Sequence, residues 1–435
     1  MPNKSKAQEF LNNPDTEKIL TRLYSDDPEV LRMQKERYQN LISLFEKNFD
    51  TEADQFFSAP GRIELGGNHT DHNNGRGLAA ATRMDTIGLA VKTDDPVITL
   101  YSDGFSKAFQ VNLDEELKPI QKMGGTSDAL IKGIAARFRQ LGYKIGGFEA
   151  VISTQVLIGS GLSASASFEL IIASMLNALY NDNRIGPVEL AKIGKYAENE
   201  FFMKPCGLMD QLICAVGGIA AIDFEDPESP VVNQMAYDFS AEGYDILIVN
   251  TGMDHSNLTD EYAAIPNEMY AVAGNLGGQV CREVSMMQLM ENIDTIRSVT
   301  GDRAVLRAYH FIRENARVLD QFDALQKNDL KGFLKLVNDS GNSSIKWLQN
   351  FFVPSDVEHQ GITLGLALAE DYINRIGEGA CRVHGGGFAG TILVFLPEAH
   401  TGEFIQLFEN VFGEKSSMKL TVRPVGAVHV NSQIG

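Results

Sequence analysis

Glycine and serine are concentrated in the segment GSGLSASAS at 159–167, which lies between an extended apolar stretch and a helical one. Glycines let the backbone approach a ligand closely, and a helix that begins there presents unpaired N–H groups and a positive dipole end to an anion. The segment therefore predicts a phosphate-binding loop; an ordinary glycine-rich turn capped by serines is the alternative. It has neither the lysine of a GxxxxGK[ST] loop nor the spacing of a GxGxxG dinucleotide fingerprint.

A carboxylate stands within a second glycine-containing segment, PCGLMDQLICAVGG at 205–218. Asp210 lies there between apolar residues and a glycine pair, and Glu198 precedes it by twelve positions. A partly buried carboxylate needs a cationic partner to stay ionised. Arg62, which follows the proline-glycine pair of APGR, is the candidate partner. The pattern is compatible with a partly buried, ionised carboxylate at Asp210, and a surface or helix-cap aspartate is the alternative.

Short polar side chains crowd the segment GNHTDHNNG at 67–75, and a third glycine segment, HGGGFAGT, occupies 384–391. The glycines of HGGGFAGT would let this loop press against a ligand or against the other half of the protein. His69 and His72 have the spacing of two metal ligands on a helix, but a zinc site needs further ligands, and NNG disfavours the helix. A metal role for this pair is therefore disfavoured.

Strands and helices must position these segments, and both are predicted along the whole chain. Periodicity predicts helices at 28–48, 128–142, 302–326 and 329–338, and strands in GFEAVISTQVLI, YDILIVNTG and TILVFLP. The two kinds of element do not alternate regularly, which favours an α+β fold. We expect an amino-terminal helical extension at 1–50, an N-terminal lobe at 51–235 and a C-terminal lobe at 236–435.

The amino-acid composition restricts which partners the protein could bind and in which cellular compartment it is expected. The chain has 57 acidic and 38 basic residues, a net charge of −19, which argues against a nucleic acid or an anionic membrane as partner. Its four cysteines show no CxxC spacing, and no apolar run is long enough for a membrane span or a signal peptide. We therefore expect a cytoplasmic protein, with a monomer favoured.

Taken together, the segments resemble the motifs of the galactokinases, in the GHMP kinase superfamily of sugar, mevalonate and homoserine kinases. The family form GRxNxxGEHTDYxxG is similar to GRIELGGNHTDHNNG here, GGGLSSSAS to GSGLSASAS, PCGIMDQ to PCGLMDQ, HSLxxSEY to HSNLTDEY and GGGFGG to GGGFAG. The order holds from about residue 55 to the carboxyl terminus. The resemblance implies a two-lobed GHMP-kinase-like fold with the active site in the cleft between the lobes.

The resemblance also implies a function and a role for individual residues. It implies ATP- and Mg²⁺-dependent phosphorylation of the anomeric C1 hydroxyl of galactose, with Asp210 accepting or orienting the hydroxyl proton and Arg62 keeping Asp210 ionised. Ser165 and Glu198 would hold the Mg²⁺ ion. The ATP phosphates would be bound by Gly159, Ser160, Gly161, Leu162, Ser163, Ala164 and Ser165. The sugar would be bound by Asn68, His69, Asp71, Gly207 and Tyr262, for which ordinary loop packing is the alternative.

Departures from the family pattern bear on the substrate. Asn68 stands where the family has a glutamate near the sugar C6 hydroxyl, Glu64 stands where it has an asparagine, and His72 replaces a tyrosine. An asparagine amide could donate to a C6 carboxylate, so a kinase for galacturonate or another C6-modified hexose is the first alternative to a galactokinase. A catalytically silent sensor that binds sugar and ATP is an alternative of another class.

Overall fold

The computed structural model describes residues 5–156, 161–252 and 258–433 of the 435-residue chain. Its strands are β1 (Gln55–Gly66), β2 (Arg76–Lys92), β3 (Val97–Ser102), β4 (Phe109–Asn112), β5 (Phe148–Thr154), β6 (Ile219–Asp223), β7 (Val231–Met235), β8 (Tyr244–Asn250), β9 (Ala380–His384), β10 (Thr391–Pro397), β11 (Ser417–Leu420) and β12 (Val428–His429). Its α-helices are α1 (Lys6–Leu11), α2 (Pro14–Leu23), α3 (Pro28–Asn48), α4 (Ser127–Gln140), α5 (Ala164–Asn181), α6 (Pro187–Tyr196), α7 (Met209–Val216), α8 (Thr259–Asn275), α9 (Met286–Glu291), α10 (Ile293–Thr300), α11 (Asp302–Gln326), α12 (Leu330–Ser343), α13 (Gly361–Ile376) and α14 (Glu398–Phe412).

The described strands form two sheets. The first sheet has eight strands in the order β12-β1-β2-β5-β3-β4, and β6 extends it from β2 and carries β7. Only the β3–β5 pairing is parallel, and the other pairings are antiparallel. The second sheet has four antiparallel strands in the order β11-β8-β10-β9. Mixed pairing with helices that do not alternate regularly is the predicted α+β class.

Helix α3 shows how the amino-terminal extension is attached. Pro28 occupies the first turn, where a missing N–H costs nothing, and the Asp27 side chain accepts hydrogen bonds from the first N–H groups. Tyr38, Leu41 and Phe45 lie at helical spacing and are buried in one cluster with residues of β1 and β2. The predicted helix at 28–48 is confirmed, and it covers the outer face of the first sheet.

Helix α5 begins within the phosphate-loop segment and packs on the first sheet. It packs against β1 and β2 and buries an almost continuous apolar surface. The predicted helices at 302–326 and 128–142 correspond to α11 and α4, and α12 extends five residues beyond the predicted end at 338. Among the described helices, none combines the length and apolar character that a bilayer span needs.

The division into lobes follows the two sheets only in part. The expected boundary at 235 coincides with the end of β7, and β8 then opens the second sheet at Tyr244. The last strand, β12, returns to the first sheet and pairs with β1, so a single cut in the sequence does not separate the sheets. The three ranges proposed from the sequence therefore remain a prediction.

Candidate active site

An arginine–aspartate pair lies at the centre of the site. Arg62 on β1 donates from Nε to Asp210 Oδ1 and from Nη2 to Asp210 Oδ2, each over 2.7 Å. The Arg62 side chain is 8% exposed, whereas that of Asp210, in the first turn of α7, is 36% exposed. Burial raises the pKa of Asp210, but Arg62 and the Ser163 hydroxyl outweigh it, and the net pKa lies below that of an ordinary aspartate. The predicted ion pair is present, with its carboxylate ionised and accessible.

The described part of the phosphate-loop segment contacts this pair through Gly161 and Ser163. The Ser163 hydroxyl donates to Asp210 Oδ2, and Arg62 Nη1 donates to the carbonyl oxygen of Gly161. Gly161 has φ +73°, and a Cβ there would lie 2.6 Å from Thr391 Oγ1 of the second sheet. Glycine is therefore required at 161 by conformation and by space.

Two further residues of the predicted phosphate loop, Leu162 and Ala164, belong to the described part of the chain, and two others do not. Leu162 accepts a backbone hydrogen bond from Arg62 over 3.0 Å, and Ala164 is the first residue of α5, whose opening N–H groups have no partner within the helix. The predicted contacts of Gly159 and Ser160 lie outside the described residues.

Two oxygen donors meet beside the loop, as expected for a magnesium site. Ser165 Oγ donates to Glu198 Oε1 over 3.1 Å, and Lys204 Nζ lies 3.1 Å from the same oxygen. A hydroxyl and one carboxylate next to bound phosphates are a set that suits Mg²⁺, which usually keeps several waters. Among the described residues, no group of three or more histidines, cysteines and carboxylates could hold a metal without such help.

A buried amide holds Glu198 from behind. Gln211 Nε2, one residue after Asp210, donates to Glu198 Oε2 over 2.8 Å and to Glu169 Oε2 over 3.0 Å. Glu169 is fully buried, and burial together with the nearby Glu198 raises its pKa. No sequence motif pointed to Glu169, because it occupies an ordinary interior position of α5.

The first and second motifs touch through Asp71 and Gly207. A Cβ at Gly207 would lie 1.5 Å from Asp71 Oδ2, so only glycine fits there. Asp71 also accepts from the backbone N–H of His72 over 2.9 Å. Burial and the nearby Asp210 raise the pKa of Asp71. The structure thus brings this predicted sugar contact and the predicted catalytic carboxylate into one neighbourhood.

His69 and Tyr262 both donate hydrogen bonds to the backbone of the third glycine segment. His69 Nε2 donates to the Gly386 carbonyl oxygen over 2.8 Å, which leaves Nδ1 as the acceptor of a neutral imidazole. Burial lowers the pKa of His69 to about 4, so the ring is neutral at physiological pH. The Tyr262 hydroxyl donates to the Gly387 carbonyl oxygen over 2.9 Å, and its ring lies 6.5 Å from that of His69. These two predicted sugar contacts share one wall.

Asn68 is buried and hydrogen-bonded to protein. It is 1% exposed, and its amide nitrogen donates to Glu64 Oε1 over 2.8 Å and to the Gly385 carbonyl oxygen over 2.7 Å. Its Oδ1 accepts from Asn350 over 2.8 Å and from Ser344 over 3.2 Å. Both donors and both acceptor positions are thus engaged by protein. In this structure both amide hydrogens of Asn68 are donated to protein oxygens, and its contact with the sugar stays a prediction.

Three buried residues around Asn68 were not assigned from the sequence. Arg382 Nη2 bonds Glu64 Oε1 over 2.7 Å, and His384 Nε2 accepts from the Glu64 backbone N–H over 3.0 Å. Arg382 stands two residues before the third glycine segment and His384 is the first residue of that segment, which was the available signal. Asn350 belongs to no motif, and its link to Asn68 spans 282 positions of the chain.

Known families share these features. Residues 129–218 match the GHMP kinases N terminal domain, and residues 43–92 match the galactokinase galactose-binding signature. The galactokinase of Clostridium acetobutylicum is 31% identical over 89% of this chain and 95% of its own, and that of Lactococcus lactis is 30% identical over 85% and 90%.

Solved structures agree with the sequence comparisons. The crystal structure of Lactococcus lactis galactokinase complexed with galactose has a TM-score of 0.76 and 25% identity, covering 90% of this chain and 99% of that one. The Methanococcus jannaschii mevalonate kinase shares the fold, with a TM-score of 0.58 at 17% identity over 84% of this chain and 98% of that one. With relatives of 30% and 31% identity matched over nine tenths or more of their length, the chain belongs to the galactokinase family of GHMP kinases.

Proposed function

We propose that the protein is an ATP-dependent galactokinase, which transfers the γ-phosphoryl group of ATP to the C1 hydroxyl of galactose and releases ADP. The observation that carries this proposal is the Arg62–Asp210 pair, joined by two bonds of 2.7 Å and tied by Ser163 to the start of α5. This pair lies directly beside the start of α5, and a helix N-terminus favours a bound phosphate, which supports the proposal. Family membership supplies the substrate pair, galactose and ATP.

In this mechanism Asp210 receives the C1 hydroxyl and Arg62 fixes it. A carboxylate with a lowered pKa is a weak base, so Asp210 first orients the hydroxyl and takes its proton as the O–P bond forms. The bond between the γ-phosphorus and the β–γ bridging oxygen breaks, and ADP leaves. Because the transition state of phosphoryl transfer is loose, positioning and electrostatics supply most of the rate.

Magnesium is proposed as the resident cation, held by Ser165 and Glu198 with the ATP phosphates. When bound, it would supply charge neutralisation on the transferring phosphoryl group. The protein's own share is to keep Glu198 oriented, and Gln211 does this by donating to its second carboxylate oxygen.

Two features favour galactose over a C6 acid such as galacturonate. Both amide hydrogens of Asn68 are already donated to protein oxygens, so the expected donor to a C6 carboxylate is absent. Glu64 lies next to Asn68 and would repel a second carboxylate. The retained Arg62–Asp210 and Ser165–Glu198 contacts favour an enzyme over a silent sensor.

The test is ADP release by the purified protein with Mg·ATP and galactose, galacturonate, glucose or N-acetylgalactosamine in turn. We expect turnover with galactose and loss of turnover in the Asp210→Asn variant. Turnover with galacturonate in preference to galactose would overturn the substrate assignment. Thermal stabilisation by sugar and ATP without ADP release would instead identify the sensor.

A further inference from the structure

Glu64 is a buried carboxylate of this site that the mechanism above does not use. It lies on β1 two residues after Arg62, in regular register with β2, where Arg62 faces Ala81 and Glu64 faces Ala79. Residues two apart in a strand point to the same side of the sheet. Glu64 therefore points to the side on which Arg62 meets Asp210.

One oxygen of Glu64 is tied to protein and the other is not. Oε1 accepts from Asn68 over 2.8 Å and from Arg382 over 2.7 Å. Oε2 receives no hydrogen bond from residues 5–156, 161–252 and 258–433. It is also not among the fully enclosed polar atoms that have no partner, so it is in contact with open space. The residue is 4% exposed, and this small opening leaves Oε2 able to accept a bond from a ligand.

The surroundings hold that oxygen in place. Arg382 is fully buried, the Glu64 backbone N–H is fixed by His384, and Asn68 is fixed on all sides by its own four bonds. Burial raises the pKa of Glu64 to about 7 against the lowering by Arg382, and the charges of Arg62 and Asp210 also act on it, which agrees with its place beside the reacting groups. Supporting residues with locked positions are what a selective contact requires, because a loose acceptor discriminates poorly.

At positions 64 and 68 this chain has the two residue types of the family motif in exchanged order. The family motif has asparagine at the first of these positions and glutamate at the second, whereas this chain has Glu64 and Asn68. The two exchanged side chains are hydrogen-bonded to each other here, so they occupy adjacent space. The wall thus keeps one carboxylate and one amide, but the carboxylate enters it from β1.

We propose that Glu64 is a specificity-determining residue of the sugar site, whose Oε2 accepts a hydrogen bond from one galactose hydroxyl other than the reacting C1 hydroxyl. This inference rests on the proposed galactokinase function and deepens it. A site built to bond a hydroxyl rejects the analogue that lacks it, because the buried polar group is then left unpaired.

The experiment couples a change in the protein to a change in the sugar. Wild type and Glu64→Gln are compared with galactose and with its 2-, 3-, 4- and 6-deoxy analogues, by kcat/KM and by dissociation constant. Above pH 7, where Glu64 is ionised, a charge-assisted bond predicts that wild type loses about 10- to 150-fold with one analogue. In Glu64→Gln that single penalty is expected to shrink at least several-fold, while the other three penalties stay unchanged. Equal penalties in both proteins for all four analogues would overturn the proposal.

Two further variants separate this role from simple support of the wall. Glu314→Gln also neutralises a buried carboxylate, one that accepts from Gly67 and pairs with Arg317, and we expect it to lower stability without altering the pattern of analogue penalties. If Glu64→Gln does not fold, the double exchange Glu64→Asn with Asn68→Glu keeps the pair and moves the carboxylate. It is then expected to change the same penalty, and an unaltered pattern would contradict the proposal.

Failure of the proposed function is distinguishable from failure of this inference. If wild type binds galactose but releases no ADP, the kinase proposal fails, and the dissociation constants still report whether Glu64 couples to one hydroxyl. If wild type does not bind galactose at all, both proposals are overturned.

Discussion

Replacing Asp210 by asparagine removes one acceptor and adds two donors where three donors already converge. Asp210 accepts from Arg62 Nε, Arg62 Nη2 and the Ser163 hydroxyl. An asparagine has one carbonyl oxygen, and its NH₂ group would face a donor of Arg62, which is largely buried. An unsatisfied buried donor costs about 1–3 kcal/mol. We expect the low end, because the Asp210 side chain is 36% exposed and water relieves part of the loss.

Asp210→Asn should lower kcat by far more than its small loss of folding stability would suggest. Loss of a positioned proton acceptor typically lowers kcat by about 10²- to 10⁴-fold. Neither ATP nor most of the sugar wall contacts depend on the charge of Asp210, so KM for both substrates should change by less than about tenfold. The corresponding Asp71→Asn variant is the matched control, since Asp71 lies against Gly207 and should act mainly on KM for the sugar.

The assay is steady-state ADP release at saturating galactose and Mg·ATP, combined with urea unfolding of both variants. If Asp210→Asn keeps more than a tenth of wild-type kcat, the reasoning is refuted and the carboxylate is not the proton acceptor. If Asp71→Asn loses as much kcat as Asp210→Asn, the two carboxylates share the role assigned to Asp210 alone.

The pH dependence follows from the same pair. Because the pKa of Asp210 lies below the ordinary range, its ionised form supports activity and stability down to pH values below about 4, and both are lost as pH falls through the lowered pKa. Arg62→Met removes the main favourable charge, so the pKa of Asp210 should rise. The acid limb of the residual activity should then move to higher pH, and an unmoved limb would assign it to another group.

Three further changes test the surroundings of the pair. Gly207→Ala forces Asp71 to move, because the new Cβ would lie 1.5 Å from its Oδ2, and KM for galactose should rise at least about tenfold with little change for ATP. Lys204→Met removes an exposed ammonium 3.1 Å from Glu198, and KM for Mg·ATP should rise about two- to fivefold, an effect that added salt should diminish. Asp85→Asn removes the fully buried carboxylate that Arg37 and Arg423 share, and urea unfolding should show a loss of about 3–5 kcal/mol.

Local patterns were enough to predict most elements. Helix α11 begins and ends at the predicted residues 302 and 326, because apolar residues recur at helical spacing along its whole length. The junction between β5 and α5 was predicted from its glycines and serines, and Gly161 does take the positive φ that favours glycine. These features depend on neighbours within a few positions of the chain, so the sequence displays them directly.

The role of Asn68 could not be predicted in that way. A motif comparison places it where a sugar contact is expected, but its four partners include Asn350 and Ser344, about 280 positions away. Whether a polar side chain in a wall faces the ligand or the protein depends on such distant partners, and these become visible only in the fold. The direction of Glu64 was unknown for the same reason, since Arg382 determines it from the second sheet.

The charges of the site explain how an acidic protein can accept a nucleotide. Arg62 is neutralised by Asp210, Arg382 by Glu64 and, in this structure, Lys204 by Glu198. The two arginines are already bound to carboxylates, so they offer a phosphate little net charge. The electrostatic attraction for the ATP phosphates must therefore come from the N–H groups at the start of α5 and from cations that can leave their present partners. Lys204 is such a cation because its side chain is 61% exposed, and a Mg²⁺ ion bound by Glu198 would release it toward the phosphates.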